Sequence, residues 1–151
     1  KLFGFLRLIR AVVPHMKNNS YGKIINIASV GGKIGSALNP AYMASKAGTI
    51  SLTKSSALEY AQFNINVNAI CPGFVWTPMA ISIEEQAGSN QPELTNMTPR
   101  EIYDSLVAEK IPLGRDQTPE DMGNLAVFLA SEYSKNITGQ AINVCGGSNM
   151  D

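Results

Sequence analysis

Tyr42 and Lys46 stand in the i, i+4 relation within Tyr42-Met43-Ala44-Ser45-Lys46, and Ser29 precedes them. Side chains so spaced share one face of a helix. If the run from about Pro40 to Gln62 is helical, it projects a phenol and an ammonium side by side. A cation beside a phenol favours the phenolate, and a phenol poised in this way can give and take a proton near neutral pH. A serine on the preceding strand can hold a carbonyl or alcohol oxygen next to that phenol. Such an arrangement moves a proton on and off an oxygen while a hydride moves on the adjacent carbon. Taken alone, Tyr-x-x-x-Lys also describes a solvated pair on a helix face, and Ser29 a turn serine at a strand end.

The elements that must position these groups can be read from periodicity. Leu2, Phe5, Leu6, Ile9, Val12, Val13 and Met16 recur at helical spacing, which predicts a helix over Leu2–Lys17. Asn18 to Gly22 is a turn cluster, and Lys23–Ala28 is an apolar strand of the buried parallel kind. Asn39 is placed to cap the next helix, with Pro40 at its first position. Ala41, Ala44, Ser45, Ala47 and Gly48 give that helix a face suited to close packing. Ile65–Ile70 is the next strand, ended by Pro72-Gly73, and Ala141–Val144 is a short last one. Strands separated by helices imply parallel pairing with right-handed crossovers.

Between Thr77 and Pro112 the pattern loosens. A helix is predicted over Ile102–Lys110, started by Thr98-Pro99-Arg100-Glu101, and another from Thr118-Pro119-Glu120-Asp121 to about Ser131. Long connections inside a domain commonly serve as functional covers, so residues 77–112 are expected to form a substrate lid.

Net charge is zero, which removes the electrostatic case for nucleic acid or an anionic membrane as partner. No apolar run reaches transmembrane length. His15 is the only histidine, which argues against a histidine-based triad or a multi-histidine metal site. Cys71 and Cys145 lack metal-type spacing and read as reduced structural thiols of a cytoplasmic protein.

Several motifs surround the Tyr/Lys pair in order. Gly22-Lys23-Ile24-Ile25-Asn26-Ile27-Ala28-Ser29 precedes it, and Asn66-Val67-Asn68-Ala69-Ile70-Cys71-Pro72-Gly73-Phe74-Val75-Trp76-Thr77-Pro78 follows. Pro112-Leu113-Gly114-Arg115 and Thr138-Gly139-Gln140-Ala141-Ile142-Asn143-Val144 come later, then Gly146-Gly147. Together these resemble the short-chain dehydrogenase/reductase family across essentially the whole chain. The fold so implied is α/β, the C-terminal portion of a Rossmann-like doubly wound parallel sheet with helices on both faces. Residues 1–151 then form one partial domain. The chain opens inside a helix at Lys1 and carries no Gly-x-x-x-Gly-x-Gly turn, so about a hundred residues of a doubly wound domain are expected to precede it.

The resemblance implies an NAD- or NADP-dependent oxidoreductase that interconverts a secondary alcohol and a ketone. It makes Tyr42 the acid/base and Ser29 the partner of the reacting oxygen, and Lys46 also a ligand of the nicotinamide ribose. Pro72, Gly73, Val75 and Thr77 would meet the cofactor. Ser29, Trp76 and Met79 are candidates for the substrate side, although Trp76 and Met79 equally suit packing of the covering segment. A polyol, diol or hydroxyketone is the expected substrate, because the segment flanking the pocket is polar. The family favours a homotetramer or dimer, with the first helix and the Pro40–Gln62 helix packing against a second subunit. The alternative is a non-catalytic fragment that lacks the dinucleotide half and keeps the oligomer surfaces.

Two departures stand out. Lys1 occupies the place of an asparagine that relays protons in many family members, and Cys145 stands where an aspartate is usual. The second is expected to affect stability and not catalysis.

Overall fold

In the computed structural model, which describes residues 2–37 and 39–150, three strands lie in the order β1-β2-β3. They are Gly22–Ile27 (β1), Ile65–Pro72 (β2) and Ala141–Val144 (β3). Both pairings are parallel, with Gly22 to Ile27 opposite Ile65 to Ile70, and Ala69 to Pro72 opposite Ala141 to Val144. The helices are Leu2–Asn18 (α1), Pro40–Tyr60 (α2), Pro78–Asn90 (α3), Pro99–Lys110 (α4) and Pro119–Ala130 (α5). Parallel neighbours require a crossover; α2 supplies it between β1 and β2, and α3 to α5 lie between β2 and β3. Lys1 lies outside the described residues, and so does the question of its relay role.

Alternation along β2 sorts the two faces of the sheet. Ile65 and Val67 pack with Ile9 and Val13 of α1 and Ala57 and Tyr60 of α2. Ala69 and Cys71 pack with Ile50 of α2 and Ala28. On the opposite face Asn66 and Asn68 donate their amides to the carbonyl of Ile137, at 3.0 and 2.8 Å, so that the segment after α5 is tied there. α5 itself packs against β1 and β2. Helical segments thus cover both faces of a parallel sheet, the doubly wound α/β arrangement expected from the sequence.

A ladder of polar groups registers α2 on β1. The buried Asn26 amide donates to Thr53 Oγ1 at 2.9 Å, Thr53 Oγ1 donates to the Thr49 carbonyl at 2.9 Å, and Thr49 Oγ1 donates to the Ser45 carbonyl at 3.0 Å. Buried polar groups are tolerated only when paired in this way, so the ladder fixes how far along β1 the helix sits. Gly48 lets α1 approach: a Cβ there would lie 2.9 Å from Leu2 Cδ2.

Two local expectations are corrected. Asn39 does occupy the cap position with Pro40 at the first turn, but its side chain makes no capping hydrogen bond. The stretch after Thr77 is more regular than its sequence pattern suggests. Thr77 Oγ1 accepts from Ala80 N at 3.3 Å and Pro78 starts α3, while Thr98 and Thr118 close full capping boxes at α4 and α5. Residues 77–112 are therefore largely two helices in contact, α3 and α4, and not a long irregular loop.

Candidate active site

β1 ends at Ile27, and the chain turns at Ser29 in extended conformation, with φ −173° and ψ 154°. Ser29 Oγ accepts from Gly31 N at 3.0 Å and so caps the short 3-10 turn Val30–Gly32. This bond orients the hydroxyl by one lone pair and leaves its proton for donation. The turn lies close under α2: a Cβ on Gly32 would sit 2.7 Å from the Lys46 carbonyl carbon, and one on Gly31 would sit 3.3 Å from Tyr42 Cε1. The absence of side chains here is what brings Ser29 to the first turns of α2.

Tyr42 and Lys46 share the helix face turned to that turn. Lys46 Nζ lies 5.7 Å from the centroid of the Tyr42 ring and donates to the Ile27 carbonyl at 3.0 Å. The last carbonyl of β1 thus holds the ammonium beside the phenol. Ser29, Tyr42 and Lys46 line one cavity of about 360 Å³ together with Ile27, Ala28, Pro72, Gly73, Val75, Thr77, Met79, Pro119 and Met122. Eight of the nine candidate residues therefore meet: Ser29, Tyr42, Lys46, Pro72, Gly73, Val75, Thr77 and Met79.

Trp76 is the exception. Its ring packs edge-on against Tyr103 at 4.8 Å between centroids, with the Arg100 guanidinium 5.0 Å from its own centroid. It belongs to a cluster of Phe74, Ala80, Tyr103, Val107 and Ile111 that fastens α3 and α4 to the strand exit. Burial pushes the Tyr103 phenol up to about 12, with Asp116 adding to the rise and Arg100 opposing it. In the same cover Glu84 is buried, and burial raises its carboxyl above the ordinary value while Lys110 opposes.

Gly73 lines the cavity and is also pressed against its own chain. A Cβ there would meet Cys145 Cβ and Gln117 Oε1, each at 2.7 Å. The close approach is to the C-terminal turn and the α5 approach, behind the cavity. Cys145 is buried, its Sγ 3.4 Å from the Asn149 carbonyl, and neither cysteine is in a disulfide. Pro119 and Met122 of α5 enter the lining from the other side of the sheet. No local sequence signal marks them; they arrive through the packing of α5 on β1 and β2.

The lining fits the nicotinamide end of a dinucleotide by its chemistry. A phenol, a serine hydroxyl and an ammonium converge from β1 and α2, and Ile27, Pro72, Val75, Met79 and Met122 supply apolar wall for a flat ring. Among the described residues no group of three or more His, Cys, Asp or Glu side chains is arranged to hold a metal ion, and no helix is long and apolar enough to cross a membrane.

The Ser/Tyr/Lys cluster lies at the carboxyl end of β1 and β2 in a doubly wound parallel sheet, the edge at which such sheets bind ligands. The family model described as Enoyl-(Acyl carrier protein) reductase matches residues 1–149, and the chain belongs to the short-chain dehydrogenase/reductase family. That family is NAD(P)-dependent. The chain is 41% identical over 138 residues to D-beta-hydroxybutyrate dehydrogenase of Cupriavidus necator, covering 91% of this chain and 52% of that protein. Among solved structures it is similar to sorbitol-6-phosphate 2-dehydrogenase SrlD from Erwinia amylovora, with TM-score 0.88 and 34% identity over 98% of this chain and 57% of that one. It is also similar to L-sorbose reductase from Gluconobacter frateurii complexed with NADPH and L-sorbose, with TM-score 0.83 and 31% identity over 95% of this chain and 53% of that one. The chain spans about half the length of the curated relatives it matches.

Proposed function

We propose that the protein carrying this chain is an NAD- or NADP-dependent oxidoreductase that interconverts a secondary alcohol and a ketone. The observation that carries the reading is the meeting of Ser29, Tyr42 and Lys46 in one cavity with the Pro72–Thr77 rim. Ser29 donates its free proton to the reacting oxygen and sets that oxygen against the Tyr42 phenol. Tyr42 takes the hydroxyl proton in oxidation and returns it in reduction. Lys46, held by the Ile27 carbonyl, keeps a positive charge beside the phenol and reaches the ribose hydroxyls of the cofactor. Gly73 and Val75 offer backbone groups, and Thr77 a hydroxyl, to the carboxamide and phosphate. The bound nicotinamide supplies or accepts the hydride. α3 and α4 cover the site as its lid.

For the substrate, a polyol, diol or hydroxyketone is supported by the similarity to the sorbitol-6-phosphate and L-sorbose enzymes. A second reading, a 3-hydroxy acid with an apolar flank, is favoured by the wall of Val75, Met79, Pro119 and Met122. The polar residues of the flanking segment, such as Ser82, Glu85 and Gln86, are exposed and do not line it. Further copies of the chain are the proposed macromolecular partner, since α1 and α2 leave Phe3, Leu8 and Leu58 exposed. Two cysteines held as thiols outside any disulfide suit a cytoplasmic setting.

The test is fluorescence titration of the native protein with NADH and NADPH, followed by turnover of sorbitol, a vicinal diol and 3-hydroxybutyrate. Tyr42→Phe keeps the ring and removes the proton carrier, so kcat should fall by about 10²–10⁴-fold. Retention of most of the activity by that variant would sink the mechanism.

A further inference from the structure

Gln117 precedes α5, is 6% exposed, and belongs to none of the motifs that mark the site. Its backbone is joined to the cavity rim twice: Gln117 N donates to the Phe74 carbonyl at 2.8 Å, and Gln117 pairs with Val75 in an isolated parallel bridge. Its side chain lies between two glycines. A Cβ on Gly73 would sit 2.7 Å from Oε1, and a Cβ on Gly146 would sit 3.0 Å from Nε2. Gly146 has φ +60°, a conformation that glycine adopts without strain. The amide thus fills the gap between the cavity rim and the C-terminal turn. Nε2 donates to the Arg115 carbonyl at 3.2 Å, which fixes the side chain on its own loop. Oε1 is buried without a hydrogen-bond partner, a costly arrangement for a group that only fills space. The rim is also held by the Gly73 N–H bond to the Val144 carbonyl at 3.0 Å and by the Phe74 ring against Tyr103.

We propose that Gln117 is a positioning residue: its side chain, wedged between Gly73 and Gly146, sets the height of the Gly73–Val75 rim opposite Ser29 and Tyr42. That this rim faces the nicotinamide rests on the function proposed above. Shortening the side chain lets the rim sink toward the C-terminal turn. Cofactor binding then suffers before the proton step does, because Ser29, Tyr42 and Lys46 are held by β1 and α2 and not by the rim.

The experiment compares Gln117→Ala, Gln117→Asn and Gln117→Met in the native protein by two readouts. The first is amide hydrogen exchange without cofactor; the second is the split between cofactor KM and kcat. Gln117→Ala should speed exchange at residues 73–75 about tenfold with β1 unchanged, and should raise the KM for the nicotinamide cofactor about tenfold with kcat held within about twofold. Gln117→Asn, shorter by one methylene, should move both readouts the same way and serves if the alanine variant does not fold. Gln117→Met keeps the length and should restore both. Unchanged exchange at 73–75 in the shortened variants overturns the proposal, as does failure of methionine to restore it. A fall in kcat at constant KM also overturns it, because a general structural defect behaves so. A native protein that binds neither NADH nor NADPH sinks the function proposed above, while the exchange readout still decides whether Gln117 sets the rim.

Discussion

The floor of the site and its cover are built from different materials. The floor is the sheet with α2, where Ser29, Tyr42 and Lys46 are fixed by backbone pairing and by buried polar bonds running from Asn26 through Thr53 and Thr49. The cover proposed above is α3 with α4, held to the strand exit by ring packing, with Trp76 and Phe74 around Tyr103 and Arg100 over both Trp76 and Tyr103. Hydrogen bonds have direction and length and fix geometry; apolar contacts hold surfaces together but let them slide. A floor built from directional bonds suits the proton transfer proposed for Ser29 and Tyr42, which needs alignment to a fraction of an ångström. A cover built on ring faces suits a segment that must admit and release a ligand.

The sharpest way to break this division is at Trp76. Trp76→Ala removes the ring that packs on Tyr103 and carries the Arg100 guanidinium, and should cost the α3–α4 pair about 3 kcal/mol, at the low end for a tryptophan because the residue is only half-buried. Amide exchange should then accelerate through α3 and α4, and protection of β1 and β2 should stay as it was. If β1 and β2 lose protection equally, cover and floor are one cooperative unit and the distinction drawn above is wrong.

The reciprocal change strikes the floor. Thr53→Val is close to isosteric but removes the acceptor for the Asn26 amide, which is left buried without a partner. The expected cost is about 1–3 kcal/mol, seen as a lower Cm in urea with an unchanged m-value. Substrate turnover should fall beyond what the lost stability explains, because α2 carries Tyr42 and Lys46 and is registered on β1 by this bond. Turnover per folded molecule equal to that of the unaltered protein would show that the ladder serves stability alone.

How much of this was legible in the sequence follows the same line. The floor is local and periodic: β1, α2 and β2 follow one another, and parallel pairing of β1 with β2 puts Ser29 beside Tyr42 and Lys46. Pattern and spacing suffice for such a unit. α3 was missed because Thr77-Pro78 has Ala80 where Thr98-Pro99 and Thr118-Pro119 are followed by Glu101 and Asp121, so the reciprocal half of a capping box is absent. The Thr-Pro pair itself was the available signal. The sequence around Trp76 suits a pocket residue and a packing residue equally, because its partners Tyr103 and Arg100 come from α4, at a distance along the chain that no local pattern spans. Pro119, Met122 and Gln117 reach the site or its rim through α5 and the loop before it, and nothing short of tertiary packing announces them.

The smallest effect lies in the cover and concerns pH. Glu84 of α3 is buried, burial is the main cause raising its carboxyl above the ordinary 4.5, and Lys110 at the end of α4 pulls the other way. The folded state therefore holds this proton to a higher pH than the unfolded chain does. In that window the unfolded state binds fewer protons, so stability falls as pH rises from about 4.5 through the folded value. The contribution is fully present below the unfolded value and is lost above the folded one. Glu84→Gln keeps the shape, removes the titration, and should leave the cover steadier than the native protein at neutral pH but not at pH 4. Thermal melts read across that range, with exchange in α3 and α4 alongside, measure the difference directly. If it shows in the sheet and not in the helices, the carboxyl is coupled to the floor; if it shows only in α3 and α4, those helices carry their own pH response, separate from Ser29, Tyr42 and Lys46.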